Sequence, residues 1–266
     1  MKNLYRFFLF IIPIIISSCD KVFDFSPYES NLPDGYKSTT EKQLGKLALM
    51  KFQDQDTIIV DLISDSHIYH KELRRVINKI NDDNRADLVL HLGDFTDGSY
   101  QQEYIYSYEL MDRLTMPWLT VIGNHDCLSN GESVYKTMFG YEQYEVDLRE
   151  WHIIVWNSVI WELGDRIPDL EWLEKKLAAV KGQNIIVATH IPSWDDQLRE
   201  KWGDQFENII AKYNVKLVLL GHEHSYSYAS PYENSIPHLV IGSVSNKSFI
   251  RLKLGSRGYL HKKITL

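Results

Sequence analysis

Five short stretches of this 266-residue chain contain the residue types that bind divalent metal ions. They are Asp65-Ser66-His67, Gly93-Asp94-Phe95-Thr96-Asp97, Gly123-Asn124-His125-Asp126, His190 and Gly221-His222-Glu223-His224. Carboxylate, imidazole and amide ligands without thiolate suit Mn²⁺, Fe or Zn²⁺. A carboxylate can also bridge two cations, and a two-metal centre clamps the attacking and leaving oxygens of an in-line displacement. These residues therefore point to a two-metal centre that catalyses hydrolysis.

Each stretch is weak evidence when it stands alone. A single Asp-x-His or His-x-His occurs often without a metal ion, and an isolated strand histidine such as His190 is usually satisfied by ordinary hydrogen bonds. The combination is informative because every stretch directly follows a run of aliphatic and β-branched residues. Five such coincidences in chain order favour one shared site.

The runs that precede these stretches predict strands of an α/β fold. Residues 57–63, 88–92 and 118–122 indicate three strands, and apolar residues at helical spacing lie between them. We expect further strands at residues 151–157, 184–189 and 215–220, and helices at 40–52, 168–181 and around Ile209. Three final strands, at 238–243, 248–254 and 259–264, are expected to be antiparallel.

The first three predicted strands form a βαβαβ unit. Such a unit implies parallel strands joined by right-handed crossovers, and ligands of open parallel sheets gather at the carboxyl ends of the strands. We therefore expect all five stretches to lie on one edge of the sheet.

Taken together, the five stretches resemble the signature of the calcineurin-like metallophosphoesterases. The resemblance covers about residues 57–226 by motif, and we extend it to residue 266 by fold. It implies a four-layer α/β/β/α sandwich with mixed sheets and a metal site at the carboxyl ends of the strands.

The resemblance also implies a role for each matching residue. Asp65, His67 and His224 would hold one metal ion, and Asn124, His190 and His222 would hold the second. Asp94 would bridge both ions, with a bridging hydroxide as the nucleophile. His125 would act as the general acid at the leaving oxygen, and Asp97 would orient it. The implied cofactors are two divalent ions, and Mn, Fe and Zn all remain open.

One departure from the family pattern bears on the substrate. Gly98-Ser99 stands where the protein-serine/threonine phosphatases and bis-nucleotide hydrolases of this family carry Arg-Gly. That arginine contacts phosphate in those enzymes, so its absence disfavours a phosphoprotein substrate. A small-molecule or lipid phosphate ester is expected, as either a monoester or a diester.

The amino terminus predicts export. Residues 1–18 read as a signal peptide, with Lys2 and Arg6 before an apolar run from Leu9 to Ile16. Cys19 follows Ser17-Ser18 and resembles the lipidated cysteine of bacterial lipoproteins, so we expect a lipid anchor there and a location in the cell envelope. Residues 19–56 are interpreted as a tether with a short helix, and residues 57–266 as the metallophosphoesterase domain.

Composition narrows the class of partner. The net charge is −7, and an acidic chain gains little affinity for nucleic acid through counterion release.

Cys127 is the only cysteine besides Cys19, and we interpret it as a packing residue. The oligomeric state stays open.

Two alternative functions are less well supported by the sequence. A lipid-anchored binding or scaffold protein could keep the fold without catalysis, but the ligand set is complete and His125 and Asp97 accompany it. A metalloprotease is disfavoured because the chain has no His-Glu-x-x-His motif.

Overall fold

A computed structural model of the chain describes residues 30–50, 52, 56–213 and 215–266. The predicted signal peptide and Cys19 lie outside these residues. The helices are α1 (Thr39–Ala48), α2 (His70–Asp83), α3 (Gln101–Met111), α4 (Gly131–Met138), α5 (Leu170–Ala179) and α6 (Asp204–Lys212). The strands are β1 (Thr57–Ile63), β2 (Leu88–His91), β3 (Trp118–Thr120), β4 (Tyr144–Leu148), β5 (Trp151–Val155), β6 (Asn184–Ala188), β7 (Val215–Leu220), β8 (Ser227–Ala229), β9 (His238–Val240), β10 (Ser248–Gly255) and β11 (Gly258–Thr265).

The strands form two mixed sheets. The first has the order β11-β10-β1-β2-β3, with β1, β2 and β3 parallel and the C-terminal hairpin antiparallel to them. The second has the order β4-β5-β6-β7-β9-β8, in which β5, β6, β7 and β9 are parallel. The antiparallel strands β4 and β8 close its two sides.

The two faces of each sheet bury different cores. In β1, Val60 and Leu62 belong to the core between the sheets, whereas Ile63 belongs to the core under the helices. β6 alternates in the same way, with Ile186 between the sheets and Ile185 toward the helices. Full burial of such a side chain contributes about 1.5–3 kcal/mol. Because both faces of both sheets are covered, the fold is the expected α/β/β/α sandwich.

Several element boundaries differ from the sequence-based expectation. The helix expected at 40–52 ends at Ala48, where the Met50 backbone N–H turns back to the carbonyl oxygen of Leu47. The helix expected at 168–181 begins at Leu170, because the Asp169 side chain accepts a hydrogen bond from the Trp172 N–H as its N-cap.

The prediction for the last three strands was wrong in one respect. Only β10 and β11 form the expected antiparallel hairpin. The strand at His238 joins the other sheet, where it runs parallel to β7 and antiparallel to β8. Periodicity identified the strand but carried no information about its neighbours.

A buried ion pair joins two strands that are far apart in the sequence but adjacent in the first sheet. The Arg251 guanidinium in β10 donates to both carboxylate oxygens of Asp61 in β1, at 2.8 and 2.7 Å. It also contacts Asp83 in α2 at 3.3 Å.

Among the described residues, the helices are too short or too polar to cross a membrane.

Candidate metal centre

The ligand residues lie in tight turns at the carboxyl ends of the strands. Asp65, His67 and Asp94 follow β1 and β2, and all three have positive φ, at 52°, 40° and 54°. His222 and His224, after β7, also have positive φ, at 70° and 55°. Left-handed backbone at a non-glycine residue costs on the order of 1–3 kcal/mol and persists only where the surroundings enforce it. Such strain clustered in these turns is typical of a functional site.

Glycines allow the turns to approach one another. A Cβ atom on Gly123 would lie 2.2 Å from the backbone nitrogen of Asp94, and one on Gly221 would lie 2.4 Å from the Ser64 hydroxyl. Main-chain hydrogen bonds then join the first two turns, since the Asp65 N–H donates to the Gly93 carbonyl oxygen at 3.0 Å. Glycine is required here for close approach.

The first predicted ligand set converges as expected. His67 Nε2 lies 3.2 Å from His224 Nε2 and 3.5 Å from Asp94 Oδ2. His224 Nε2 lies 3.5 Å from Asp65 Oδ1. The four side chains therefore present one ligand atom each to a common point.

The second predicted set converges on the other side of Asp94. His190 Nε2 lies 3.3 Å from Asp94 Oδ2, and His222 joins the same cluster of ligand atoms. Asn124 Oδ1 lies 3.1 Å from His222 Nδ1. His190 Nδ1 donates to the Leu92 carbonyl oxygen at 2.7 Å, so its Nε2 is left free to bind a metal ion.

The turns come from both sheets, which corrects the expectation of a single sheet edge. Asp65, His67, Asp94 and Asn124 follow strands of the first sheet, whereas His190, His222 and His224 follow strands of the second. A hydrogen bond from the His222 N–H to Asp65 Oδ1, at 3.0 Å, joins the two halves. The site lies where the carboxyl ends of the two sheets meet.

Unsatisfied buried atoms test whether cations fit this cluster. Asp65 Oδ2 and His190 Nε2 are buried and have no hydrogen-bond partner, although buried polar atoms are normally paired. Burial opposes the charged form of both His190 and Asp94. The opposite charges around each group act against burial: Asp94 and Asp65 raise the pKa of His190 to about 10, and His190, His67 and His125 together lower the pKa of Asp94. Such a concentration of carboxylate charge and free imidazole nitrogen fits two divalent cations.

His125 lies beside the ligands with a different environment. Its backbone N–H donates to Asp94 Oδ1 at 2.9 Å, and its ring packs edge-on against His67 with centroids 4.6 Å apart. Its ring Nδ1 donates to the backbone carbonyl oxygen of Asp97 at 2.7 Å. The Asp97 carboxylate instead lies 3.4 Å from His67 Nδ1. Asp97 therefore contacts His125 through its main chain rather than its side chain.

Asp126 has a positioning role that its place in the motif did not reveal. Its fully buried carboxylate accepts hydrogen bonds from the backbone N–H groups of Phe95, Thr96 and Gly123, at 3.2, 2.9 and 3.0 Å. It thereby ties the turn after β2 to the turn after β3. The only sequence signal was an acidic residue two positions after Asn124.

Two further acids contact the ligands and were not assigned this role from the sequence. Glu162 accepts a hydrogen bond from the Asn124 amide, and Asp195 lies against the His222 ring. The only sequence signal for Asp195 was its position in the segment that directly follows His190. Glu162 carried no signal, because it lies far along the chain from Asn124.

His91 and Cys127, which lie close to the candidate ligands in the sequence, are both buried in the structure. His91 in β2 has no exposed surface, and its Nε2 is hydrogen-bonded to the Ser66 hydroxyl at 2.9 Å. Cys127 is buried, and its thiol donates to the Gly123 carbonyl oxygen.

The chain is similar in sequence to known proteins. Mouse tartrate-resistant acid phosphatase type 5 is 24% identical over 217 residues, which cover 65% of this chain and 64% of that protein. The 3′,5′-cyclic adenosine monophosphate phosphodiesterase CpdA of Escherichia coli K12 is 28% identical over 158 residues, 52% of this chain and 54% of that one. The chain thus spans only 64% and 54% of the lengths of these two relatives.

A solved structure agrees with these matches at the level of fold. Purple acid phosphatase PPD1 from yellow lupin superposes with a TM-score of 0.63 at 17% identity, covering 79% of this chain and 51% of that one. The family model described as calcineurin-like phosphoesterase matches residues 58–226, which include all five stretches predicted to bind metal. The chain is a member of the calcineurin-like phosphoesterase family.

Proposed function

We propose that this protein is a hydrolase of phosphoric esters that uses two divalent metal ions. The observation that carries the proposal is the convergence of two ligand sets on the buried Asp94 carboxylate, beside which Asp65 Oδ2 and His190 Nε2 are buried without a hydrogen bond. Asp65, His67 and His224 would hold one ion, and Asn124, His190 and His222 the other, with Asp94 shared. When bound, the ions supply Lewis-acid stabilisation of phosphate oxygens and lower the pKa of water.

The protein side chains would do the remaining chemistry. His125 donates from Nδ1 to the Asp97 carbonyl oxygen, so Nε2 is the ring nitrogen left to pass a proton to the leaving oxygen. The His125 N–H bond to Asp94 Oδ1 fixes this residue relative to the shared carboxylate. Asp97 orients His125 through its carbonyl group.

The substrate class is a phosphomonoester or phosphodiester on a small molecule or lipid. The names of two relatives, an acid phosphatase and a cyclic nucleotide phosphodiesterase, support each possibility. The acidic charge of the chain supports neither DNA nor RNA as a partner.

The test is a hydrolysis screen of the purified protein with added Mn²⁺, Zn²⁺ or Mg²⁺. p-Nitrophenyl phosphate reports monoesterase activity, and bis-p-nitrophenyl phosphate reports diesterase activity. We expect hydrolysis of at least one of them, abolished by chelation and restored by metal. A protein that binds no metal and cleaves neither compound would instead be a binding or scaffold protein that kept the fold.

We also propose that the protein is exported and anchored to the envelope by lipid on Cys19. Support comes from the sequence alone, since Cys19 lies outside the described residues. Expression in a bacterium with radiolabelled palmitate should label the wild-type chain. The label should be lost in Cys19→Ser. Labelling that persists in that variant would contradict the anchor.

A further inference from the structure

The two ligand sets differ in charge. The first contains two carboxylates, Asp65 and Asp94, whereas the second shares Asp94 and otherwise consists of neutral groups. Neutral amide and imidazole ligands depend on outer hydrogen bonds to fix their orientation and raise their basicity. Asn124 and His222 each have an acidic side chain in this outer position.

Glu162 is the partner of Asn124. The Asn124 amide nitrogen donates to Glu162 Oε1 at 3.1 Å, so the amide oxygen points the other way, toward His222. Glu162 lies in a short helical turn, Trp161–Leu163, and its second oxygen is buried. This contact selects the amide orientation in which oxygen faces the second metal position.

Asp195 is the partner of His222. His222 Nδ1 lies 3.1 Å from Asn124 Oδ1, which places this nitrogen on the ligand side. His222 Nε2 lies 3.3 Å from Asp195 Oδ2. An imidazole that binds a metal ion through Nδ1 carries its proton on Nε2, and a carboxylate there accepts that proton and orients the ring. The Gln197 N–H donates to Asp195 Oδ1 at 3.0 Å and fixes the carboxylate in turn.

The segments that carry the two acids are joined to each other. The Gln197 side-chain oxygen accepts hydrogen bonds from the backbone N–H groups of Ile160 and Trp161, both at 3.2 Å. Gln197 is buried, so these bonds are shielded from water. Glu162 and Asp195 are therefore held by one connected substructure.

We infer that Glu162 and Asp195 are paired positioning residues of the second metal site, which orient Asn124 and His222 and supply the negative charge that this ligand set lacks. The inference rests on the proposed two-metal function. It predicts that the second ion, and not the first, depends on these acids.

Metal titration of the full-length protein tests the inference without relying on activity. Metal-free wild type, Glu162→Gln and Asp195→Asn are titrated with Mn²⁺ by calorimetry, and the exchange-coupled signal of a manganese pair is followed by electron paramagnetic resonance. We expect wild type to bind two ions. Each variant should keep the first affinity and bind the second ion roughly 10–100-fold more weakly, as loss of such outer partners does elsewhere. The coupled signal should need correspondingly more Mn²⁺.

Two neighbouring acids serve as matched controls. Asp196 is adjacent to Asp195 but is 70% exposed and pairs with Arg199 on the surface. Asp165 follows Glu162 in the same loop and is exposed. Asp196→Asn and Asp165→Asn should titrate like wild type.

Three outcomes would overturn the inference. Unchanged affinity for both ions in Glu162→Gln and Asp195→Asn would show that the acids do not position the ligands. Equal weakening at both sites with a lowered thermal midpoint would indicate a general structural role. Wild type that binds a single ion would overturn the two-metal proposal itself, and this inference with it.

Discussion

His125 and His190 lie at the same centre but have different surroundings. His190 is fully buried, donates from Nδ1 to the Leu92 carbonyl oxygen, and directs Nε2 at Asp94 Oδ2, 3.3 Å away. His125 is only partly buried and contacts Asp94 through its backbone N–H. The same residue type can therefore hold a metal ion in one position and move a proton in the other.

Alanine substitution should separate these two tasks. His125→Ala is expected to retain both metal ions and lose about 10²–10⁴-fold in turnover, the usual contribution of a general acid. His190→Ala should lose the second ion, because no other group replaces its buried nitrogen. Elemental analysis and hydrolysis rates of the purified variants measure both effects. Equal metal loss in the two variants would contradict the assignment.

The buried His91 should make stability depend on pH. Burial lowers the pKa of His91 to about 3, compared with 6.5 for an unperturbed histidine. Below pH 6.5 the unfolded chain binds a proton here that the folded chain does not. The stabilisation is thus fully present above pH 6.5 and is lost as the pH falls toward 3, with a slope of about 1.4 kcal/mol per pH unit.

Urea unfolding at pH 7.0, 6.0 and 5.0 measures this slope. His91→Gln cannot titrate in this range, so its free energy of unfolding should fall less steeply than that of wild type. The difference between the two curves isolates His91 from the carboxylates, which titrate in both proteins. Parallel curves would mean that His91 is protonated in the folded state or neutral in both states.

At the scale of elements, the strands provide the frame and the turns at their carboxyl ends provide the ligands. The turn after β2 in the first sheet packs closely against a residue that follows β6 in the second sheet. Gly93 has φ +94°, and a Cβ atom there would lie 2.3 Å from His190 Nδ1, which belongs to the other sheet. The turn of one sheet is thus packed directly against a ligand of the other.

Gly93→Ala should therefore disturb the second metal site. The added methyl group strains the backbone and displaces the His190 ring, so we expect loss of the second ion and a lower thermal midpoint. Gly45→Ala is the control, because Gly45 lies in α1 with open space around it. That substitution should raise stability by about 0.5–1 kcal/mol. Normal metal content in Gly93→Ala would show that the turn tolerates a side chain.

At the scale of the whole molecule, the C-terminal hairpin completes the first sheet by pairing β10 with β1. Arg251 and Asp61 lie opposite each other in this pairing, and both are buried. Burial raises the pKa of the Asp61 carboxyl even though Arg251 lies beside it. The attraction of Arg251 therefore offsets only part of the cost of burying the Asp61 carboxylate.

Replacing Arg251 alone should lower the free energy of unfolding far more than replacing both Arg251 and Asp61. Arg251→Met leaves Asp61 as an uncompensated buried charge, and we expect a loss of about 3–5 kcal/mol in the free energy of unfolding. The double variant Asp61→Leu/Arg251→Met should recover most of that loss. Chemical denaturation of the single and double variants measures the interaction free energy between Asp61 and Arg251. Additive losses would show that the two side chains do not act as a pair.

Local sequence patterns predicted most of the frame. β1 spans the predicted residues 57–63, and β7 spans 215–220, because a continuous run of β-branched and aliphatic residues indicates a buried strand. β8 was not predicted, since it has only three residues and all of them are exposed. Its strand state comes from pairing with β9 rather than from its own composition.

The sequence by itself determined the kinds of ligand and their order along the chain, because residue type and position after a strand are local properties. The tertiary structure decided that the centre joins two sheets and that Asp97 contacts His125 through its carbonyl group. It also decided that Glu162 contacts Asn124 and that Asp195 contacts His222. These contacts link residues that are 38 positions apart in the case of Asn124 and Glu162. Strand and helix periodicity does not encode such pairings, which arise only when the separate turns are packed together.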